Sequence, residues 1–210
     1  IHFFADFSGS TSRFSLKNLD IHTSHRDLIL RASARLSLNN KQAPASQEGI
    51  QSLACELHEA TLTKDGWTIL AEQAPEILSL IPQPIVNIGS IITTGNFSHD
   101  TNQSSADMQV TTDAGHIKTH LYINDQKHYS VKLDGENLDI SQIAPKSPVE
   151  RTNIALQAEG VFGENQDMKA KGLKALIGTI EAMATNTHIL GYEYDSIGLC
   201  CNYAPDKYQA

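Results

Sequence analysis

The longest regular pattern in the chain is an alternation of apolar and polar side chains between Asn153 and Tyr203. Every second residue is apolar or small in three successive runs, which short polar segments separate. Residues that alternate in this way point to opposite faces of a β-strand, one buried and one wet. The pattern therefore predicts three consecutive strands joined by turns. The alternating positions are Ile154, Leu156, Ala158, Gly160 and Phe162, then Leu176, Gly178, Ile180 and Ala182, then Ile197, Leu199, Cys201 and Tyr203.

The same alternation recurs in the preceding part of the chain. A strand is predicted after Asp27, with its leucines and alanines on a dry face and Ile29, Arg31 and Ser33 on a wet face. Another strand is predicted from Ile50 to Leu62. Consecutive hairpins follow from Gly89 to Leu133, with polar turns at residues 100–105, 113–115 and 124–125. Near Asn18 the apolar register shifts, which indicates a β-bulge.

Two short segments depart from the strand pattern. Apolar residues recur at intervals of three and four after Trp67, which predicts an amphipathic helix over about residues 70–81, ended by Pro82 and Pro84. This helix is one-sided and suits the covering of an open end or edge of a sheet. A single helical turn is predicted around Leu138 to Ile143, closed by Pro145.

The fold class follows from the large share of strand. Roughly two-thirds of the chain reads as strand, against about 20–25% in ordinary globular proteins. Such an excess fits an all-β sandwich, a barrel or an elongated curved antiparallel meander sheet. We expect residues 1–210 to form a single β-rich domain. The sequence enters a strand directly at Ile1, which predicts an excised segment of a longer repetitive β protein.

Composition narrows the classes of function. The formal net charge is −8, with 16 basic and 24 acidic residues. Nucleic-acid binding needs a basic patch or stripe, and anionic membrane surfaces attract basic segments, so both partners are disfavoured. No run of about 18 apolar residues is present, so no membrane-spanning helix is predicted.

The three cysteines do not form a disulfide framework, because their number is odd and Cys200 and Cys201 are adjacent. Cys201 falls on the apolar register and is predicted to be a small packed residue. A bridge from Cys55 to one of the pair stays open if the compartment is oxidising.

No catalytic, metal or cofactor site emerges from the sequence. His116 and His120 would lie about 13 Å apart on a strand, too far to share one ion. The segments around Ser8 and Cys200 lack the flanking residues of a nucleophile elbow, and no glycine-rich loop precedes a helix. We therefore predict a protein that is not an enzyme and holds no cofactor and no metal.

The apolar face itself admits two interpretations. It packs against a second sheet in a filled core, or it lines a groove that stays available to an apolar ligand. Periodicity does not separate the two, because both need the same alternation.

The order of the motifs resembles the TamB-like branch of the AsmA-like proteins of Bacteroidota over about residues 4–203. The similar segments are N-I-A-L-Q-A-E-G, K-A-K-G-L, I-G-T-I-E-A-M and L-G-Y-E-Y-D-S-I in the last third, with F-S-L-K-N-L-D-I, I-P-Q-P-I-V-N-I-G-S-I-I-T-T-G-N-F-S and Y-S-V-K-L-D-G-E-N-L-D-I before them. The chain departs from the family at Ser141, where a glycine is expected, and at the Cys200-Cys201 pair.

This resemblance implies an inner-membrane-anchored periplasmic protein whose sheet curls into a taco-like trough with an apolar lining. The trough would carry phospholipid or another apolar ligand between the inner and outer membranes, and support outer-membrane β-barrel assembly with an Omp85-type partner. The anchor and the partner-binding part would lie outside this sequence. The alternative is a non-catalytic structural or adhesive β-sandwich module with a filled core. The residues expected to line a groove are Leu28, Leu30, Leu36, Leu38, Ile117, Leu121, Ile154, Leu156 and Ile180.

Overall fold

The protein forms one open antiparallel sheet in which the strands follow one another in chain order. The computed structural model describes residues 1–38, 50–73, 76, 85, 88–162, 176–204 and 207–209. Its twelve strands are β1 (His2–Gly9), β2 (Arg13–His22), β3 (Leu28–Leu38), β4 (Ile50–Leu62), β5 (Ile91–Asp100), β6 (Gln103–Thr112), β7 (Gly115–Asn124), β8 (His128–Asp139), β9 (Arg151–Phe162), β10 (Leu176–Ile189), β11 (Tyr192–Ala204) and β12 (Lys207–Gln209). Each strand pairs with the next along the chain, so the sheet is a meander.

The strands predicted from alternation are confirmed. The β4 strand has the predicted bounds, and β9, β10 and β11 form the predicted three-strand unit. The turn between β5 and β6 is shorter than predicted, with only residues 101–102 between the strands. The carboxylate of Asp100 explains this, because it accepts hydrogen bonds from the backbone N–H groups of Asn102 and Gln103 and so closes a tight turn.

Bulges bend several strands, and two of them contain an asparagine with left-handed backbone angles. Asn18 has a φ of 51° where the β2–β3 register shifts between Leu16 and Leu19, which confirms the predicted bulge. Asn137 has a φ of 53° at the corresponding shift in β8. Asparagine tolerates this conformation better than most residues, and a bulge increases the local twist and bend of a strand. The sheet is therefore irregular at places that the sequence specifies.

The first helix, α1, spans Lys64–Gln73 and begins six residues before its predicted start. The hydroxyl of Thr63 accepts a hydrogen bond from the N–H of Gly66, which caps the first turn. Because the first turn carries no apolar residue before Trp67, hydrophobic periodicity did not reveal it. Residue 76 is also helical, and the other residues of the predicted helix beyond 73 lie outside the described residues. The short helix α2 spans Ile140–Ile143 and confirms the predicted helical turn.

Helix α1 packs against one end of the strands, as predicted for a one-sided helix that covers an end of the sheet. The N–H of Thr63 donates to the carbonyl of Asp27, just before β3. Trp67 is buried, and its Nε1 donates to the carbonyl of Gly89 at 2.6 Å, which ties the helix to the segment before β5. A buried indole N–H with a partner anchors this corner without leaving a polar group unsatisfied.

Few apolar side chains are fully buried. Among the described residues, the buried hydrophobic positions are Ile29, Ala32, Trp67, Ala114 and Leu138. Ile29 lies on the predicted wet face and is nevertheless only 7% exposed, so its assignment as a wet position was wrong. It sits between His22 and Thr61 of the neighbouring strands at the end of β3 where α1 begins. This small set of buried residues is typical of a single layer and not of a packed sandwich.

The polar face carries an ion network at the start of the sheet. Arg31 on β3 donates from Nε to Asp20 at 3.2 Å and from Nη1 to Glu59 at 2.9 Å, so it joins β2 to β4. His22 Nδ1 lies 2.9 Å from the same Asp20 carboxylate. The hydrogen bond to His22, together with Arg31, lowers the pKa of Asp20, and partial burial opposes them.

This lowered pKa predicts a contribution of Asp20 to stability that acid removes. A carboxyl with a folded pKa below its unfolded value of 3.8 stabilises the fold above that value and loses the effect as the pH falls through the folded pKa. We expect the Asp20→Asn variant to lose less stability than the parent between neutral pH and about pH 3. Denaturant unfolding at both pH values measures the difference. An equal loss in parent and variant would show that Asp20 does not contribute.

Candidate apolar groove

One face of the sheet carries an unbroken row of apolar side chains across eleven strands. Directly paired residues of neighbouring strands share a face, so the strand register defines the row. We call it the floor row: Phe7, Leu16, Ala34, Cys55, Phe97, Ala106, Leu121, Val131, Ala158, Ile180 and Cys201. No polar side chain interrupts it. Since neighbouring strands are about 4.8 Å apart, the row would span roughly 48 Å on a flat sheet.

The nine residues predicted to line a groove all lie on this face. Leu121 and Ile180 belong to the floor row itself, and the others occupy rows beside it on β3, β7 and β9. Leu121 is 40% exposed and the other eight are half-buried, so none is buried. Their neighbours within the sheet shield them in part, and no second layer of the described residues covers them.

The two margins of the floor row differ in chemistry over β5 to β11. The row on one side, the hydroxyl margin, contains His99, Ser104, Ile123, Tyr129, Gly160, Gly178 and Tyr203. The row on the other side, the aliphatic margin, contains Gly95, Met108, Thr119, Leu133, Leu156, Ala182 and Leu199. Hydrogen-bonding groups therefore concentrate on one side of the floor, where His99 Nδ1 and Ser104 Oγ are 2.7 Å apart.

The charged side chains of the central strands lie on the face opposite the floor row and its margins. The floor row and both margins contain no Asp, Glu, Lys or Arg in the described residues. The other face of the same strands carries the ion pairs Lys118–Glu136 and Lys132–Asp134, and the contact of His120 with Asp107 at 2.6 Å. The sheet is therefore amphipathic, with one face suited to water and the other to an apolar partner.

A cavity of about 590 Å³ lies over the floor row between β5 and β11. This size is within the usual range of small-molecule sites, about 300–1,000 Å³. Of the nine predicted residues it includes Leu121 and Ile180. It also includes residues that the sequence reasoning placed in strands but did not select for a site: Phe97, Ala106, Ile123, Tyr129, Val131, Ala158, Phe162 and Tyr203. Their alternation was visible, but their convergence depends on the register of seven strands.

An aromatic cluster forms the hydroxyl-margin end of this cavity. Tyr129 packs against Phe162 with ring centroids 5.4 Å apart. Tyr129 also lies over the paired glycines Gly160 and Gly178, since a Cβ atom at either glycine would meet the tyrosine hydroxyl at 2.8 or 2.7 Å. Burial raises the pKa of Tyr129, and the nearby Tyr203 raises it further. The glycines thus leave the space that the tyrosine hydroxyl occupies.

The close packing around Gly178 predicts that a larger side chain at this position lowers the stability of the fold. We expect Gly178→Ala to destabilise the fold by about 1–3 kcal/mol, because the methyl group would press on both Tyr129 and the backbone of β9. Gly198→Ala in β11 is the matched control, since nothing lies within 4 Å of a Cβ atom there. Urea unfolding of the two variants tests the difference. Equal stability would show that Tyr129 does not need the glycine.

The cysteines and histidines form no joint site in the described part of the chain. All three cysteines are free. Cys55 on β4 and the pair on β11 are separated by six strands, so the bridge that the sequence left open is not formed. Cys201 is half-buried in the floor row, in agreement with its predicted packing. His116 and His120 contact different partners, Thr111 and Asp107, and the described residues contain no group of three or more potential metal ligands.

The helices that the structure describes include none with the length and apolar character to cross a membrane. Comparison with protein families, with curated proteins and with solved structures gives no match to this chain. The resemblance to TamB-like proteins is therefore a prediction from the sequence alone.

Proposed function

We propose that this chain is a segment of a TamB-like envelope protein whose apolar face carries phospholipid between the inner and outer membranes. The observation that supports the proposal most directly is the floor row, which continues across eleven strands without a polar residue. A structural sheet needs apolar residues only where another layer packs on it. Here the floor row is apolar across eleven strands, and the described residues place no second layer over it.

The free energy gained when apolar groups leave water for the floor row is large enough to hold an acyl chain. Each methylene group that leaves water for an apolar surface contributes about 0.8 kcal/mol. A methylene occupies roughly the volume of a water molecule, about 30 Å³, so a cavity of about 590 Å³ has room for about twenty such groups. This matches one acyl chain of a membrane lipid. The continuous row would let a chain shift from strand to strand without crossing a polar barrier.

The location and partners in this proposal rest on the resemblance of the sequence. The full protein would reside in the periplasm of a Gram-negative bacterium, anchored in the inner membrane by a segment outside this sequence. Support of outer-membrane β-barrel assembly, with an Omp85-type protein bound elsewhere on the full protein, belongs to the same proposal. Neither an enzymatic activity nor nucleic-acid binding is part of it.

An environment-sensitive apolar fluorophore tests whether the face is available. We expect the folded chain to bind the dye and phospholipid to displace it in proportion to its concentration. Sedimentation of the same sample shows whether the chain is a monomer. A chain that binds no dye, or one that buries this face against a second copy in a stable dimer, would support the structural or adhesive module instead.

A further inference from the structure

The floor row and its margins determine which lipids fit, beyond the presence of an acyl chain. We propose, on the basis of the function above, that the groove selects amphipathic lipids with an uncharged or zwitterionic headgroup and excludes net anionic ones. The headgroup then lies on the hydroxyl margin, and the acyl chain lies on the floor row towards the aliphatic margin.

The floor row and its two margins carry no charged side chain. Over β5 to β11 the floor row and both margins contain no lysine or arginine that would neutralise an anionic headgroup. A charge that loses part of its water without a partner is strongly disfavoured. A zwitterionic headgroup carries its own countercharge, so its transfer to the margin leaves no net charge to compensate.

The two margins also differ in their hydrogen-bonding groups. His99, Ser104, Tyr129 and Tyr203 place hydroxyl and imidazole groups in the hydroxyl margin, whereas the aliphatic margin contains one hydrogen-bonding side chain, that of Thr119. Neutral groups of this kind hydrogen-bond to ester and phosphate oxygens without fixing a net charge. A bound lipid therefore has one favourable orientation.

The partly buried surroundings of Tyr129 also disfavour negative charge at the hydroxyl margin. Burial raises the pKa of this phenol, which indicates that a negative charge without its full hydration is disfavoured where the headgroup would lie. The formal net charge of −8 acts in the same direction at longer range. These two contributions differ in one respect, since salt screens the net charge but hardly affects a desolvated site.

The test uses vesicles with the same acyl chains and either phosphatidylethanolamine, which is zwitterionic, or phosphatidylglycerol, which is anionic. The whole chain is incubated with each vesicle type and with an equal mixture, re-isolated, and its bound lipid is quantified by mass spectrometry. We expect several-fold more zwitterionic than anionic lipid on the chain. The preference should persist at about 1 M salt, where charges are screened beyond about 3 Å.

A lysine at Ser104 tests the role of the hydroxyl margin. We expect Ser104→Lys to raise the anionic share several-fold, because the new ammonium group pairs with the headgroup. Gln103→Lys is the matched control with the same added charge, because Gln103 is the neighbouring exposed residue and points to the opposite face. It should leave the ratio unchanged. Circular dichroism establishes that both variants fold.

The outcomes separate this inference from the proposed function. Binding of both lipids without preference, or a preference for the anionic lipid, would overturn the headgroup selection while the lipid groove stands. A preference that disappears at high salt would assign it to the net charge and also overturn the selection by the groove. If neither lipid is retained, the proposed function itself fails. The ratio of zwitterionic to anionic lipid on the parent chain tests the headgroup selection even if Ser104→Lys does not fold.

Discussion

Replacing Leu121 by aspartate is expected to abolish the binding of apolar ligands while the protein stays folded. Leu121 lies in the middle of the floor row, between Ala106 and Val131, and is 40% exposed. At such a site a carboxylate keeps much of its water. The loss of stability should therefore stay near 1–2 kcal/mol, from lost apolar contact and the weak strand preference of aspartate. A filled core would instead lose several kcal/mol through a buried unpaired charge.

The ligand should respond far more strongly than the fold. A carboxylate in the floor row would have to be dehydrated by an acyl chain lying across it, so we expect at least about a tenfold loss of affinity. Gln109→Asp on β6 is the matched control, because it adds the same charge on the exposed polar face next to Lys118. Fluorophore titration and urea unfolding of both variants separate the two effects. Unfolding of Leu121→Asp with an intact control would identify the face as a packed core.

Filling the groove without changing its polarity is expected to have a comparable effect. Ala158 lies in the floor row between Val131 and Ile180, and its small side chain leaves room for the cavity above β9. In Ala158→Trp the indole would occupy the space of several methylene groups of a ligand. We expect at least about a tenfold loss of lipid binding with little change in stability, since an uncovered face accepts a larger apolar side chain without overpacking.

The same strand supplies the control. Ala155 is exposed on the opposite face of β9, so Ala155→Trp adds the same side chain away from the groove. Its lipid binding should equal that of the parent. If Ala158→Trp unfolds the chain, the space above Ala158 is filled in the native protein. If it folds and binds lipid as the parent does, the acyl chain does not lie on the floor row at β9.

The strands could be predicted because the alternation of apolar and polar residues is visible within each strand's own sequence. Alternation alone identified β4 with its bounds and the three-strand unit of β9, β10 and β11, and the interrupted register around Asn18 identified a bulge. Local turn chemistry was harder to anticipate. The Asp100 carboxylate shortened one turn, and the Thr63 cap extended α1 by a first turn that has no apolar periodicity.

The candidate site was less accessible from the sequence, because it depends on register between strands. Leu121 and Ile180 were selected from their own strands, but Tyr129, Phe97 and Val131 join them only through pairings across seven strands. The space for Tyr129 depends on two glycines that are far apart in sequence and opposite each other in the sheet. Alternation also failed at Ile29. It predicted an exposed side chain on the polar face, but the position of Ile29 at the end of β3 buries it.

The phospholipid that stays bound to the natively purified chain shows whether the floor row holds lipid. Mass spectrometry would be applied to the parent, to Leu121→Asp and to the control Gln109→Asp, each purified without detergent from cells that contain phospholipid. We expect phospholipid on the parent and the control, and none on a folded Leu121→Asp chain. A parent without lipid, together with an unfolded Leu121→Asp chain, would contradict this expectation and identify the apolar face as a packed core.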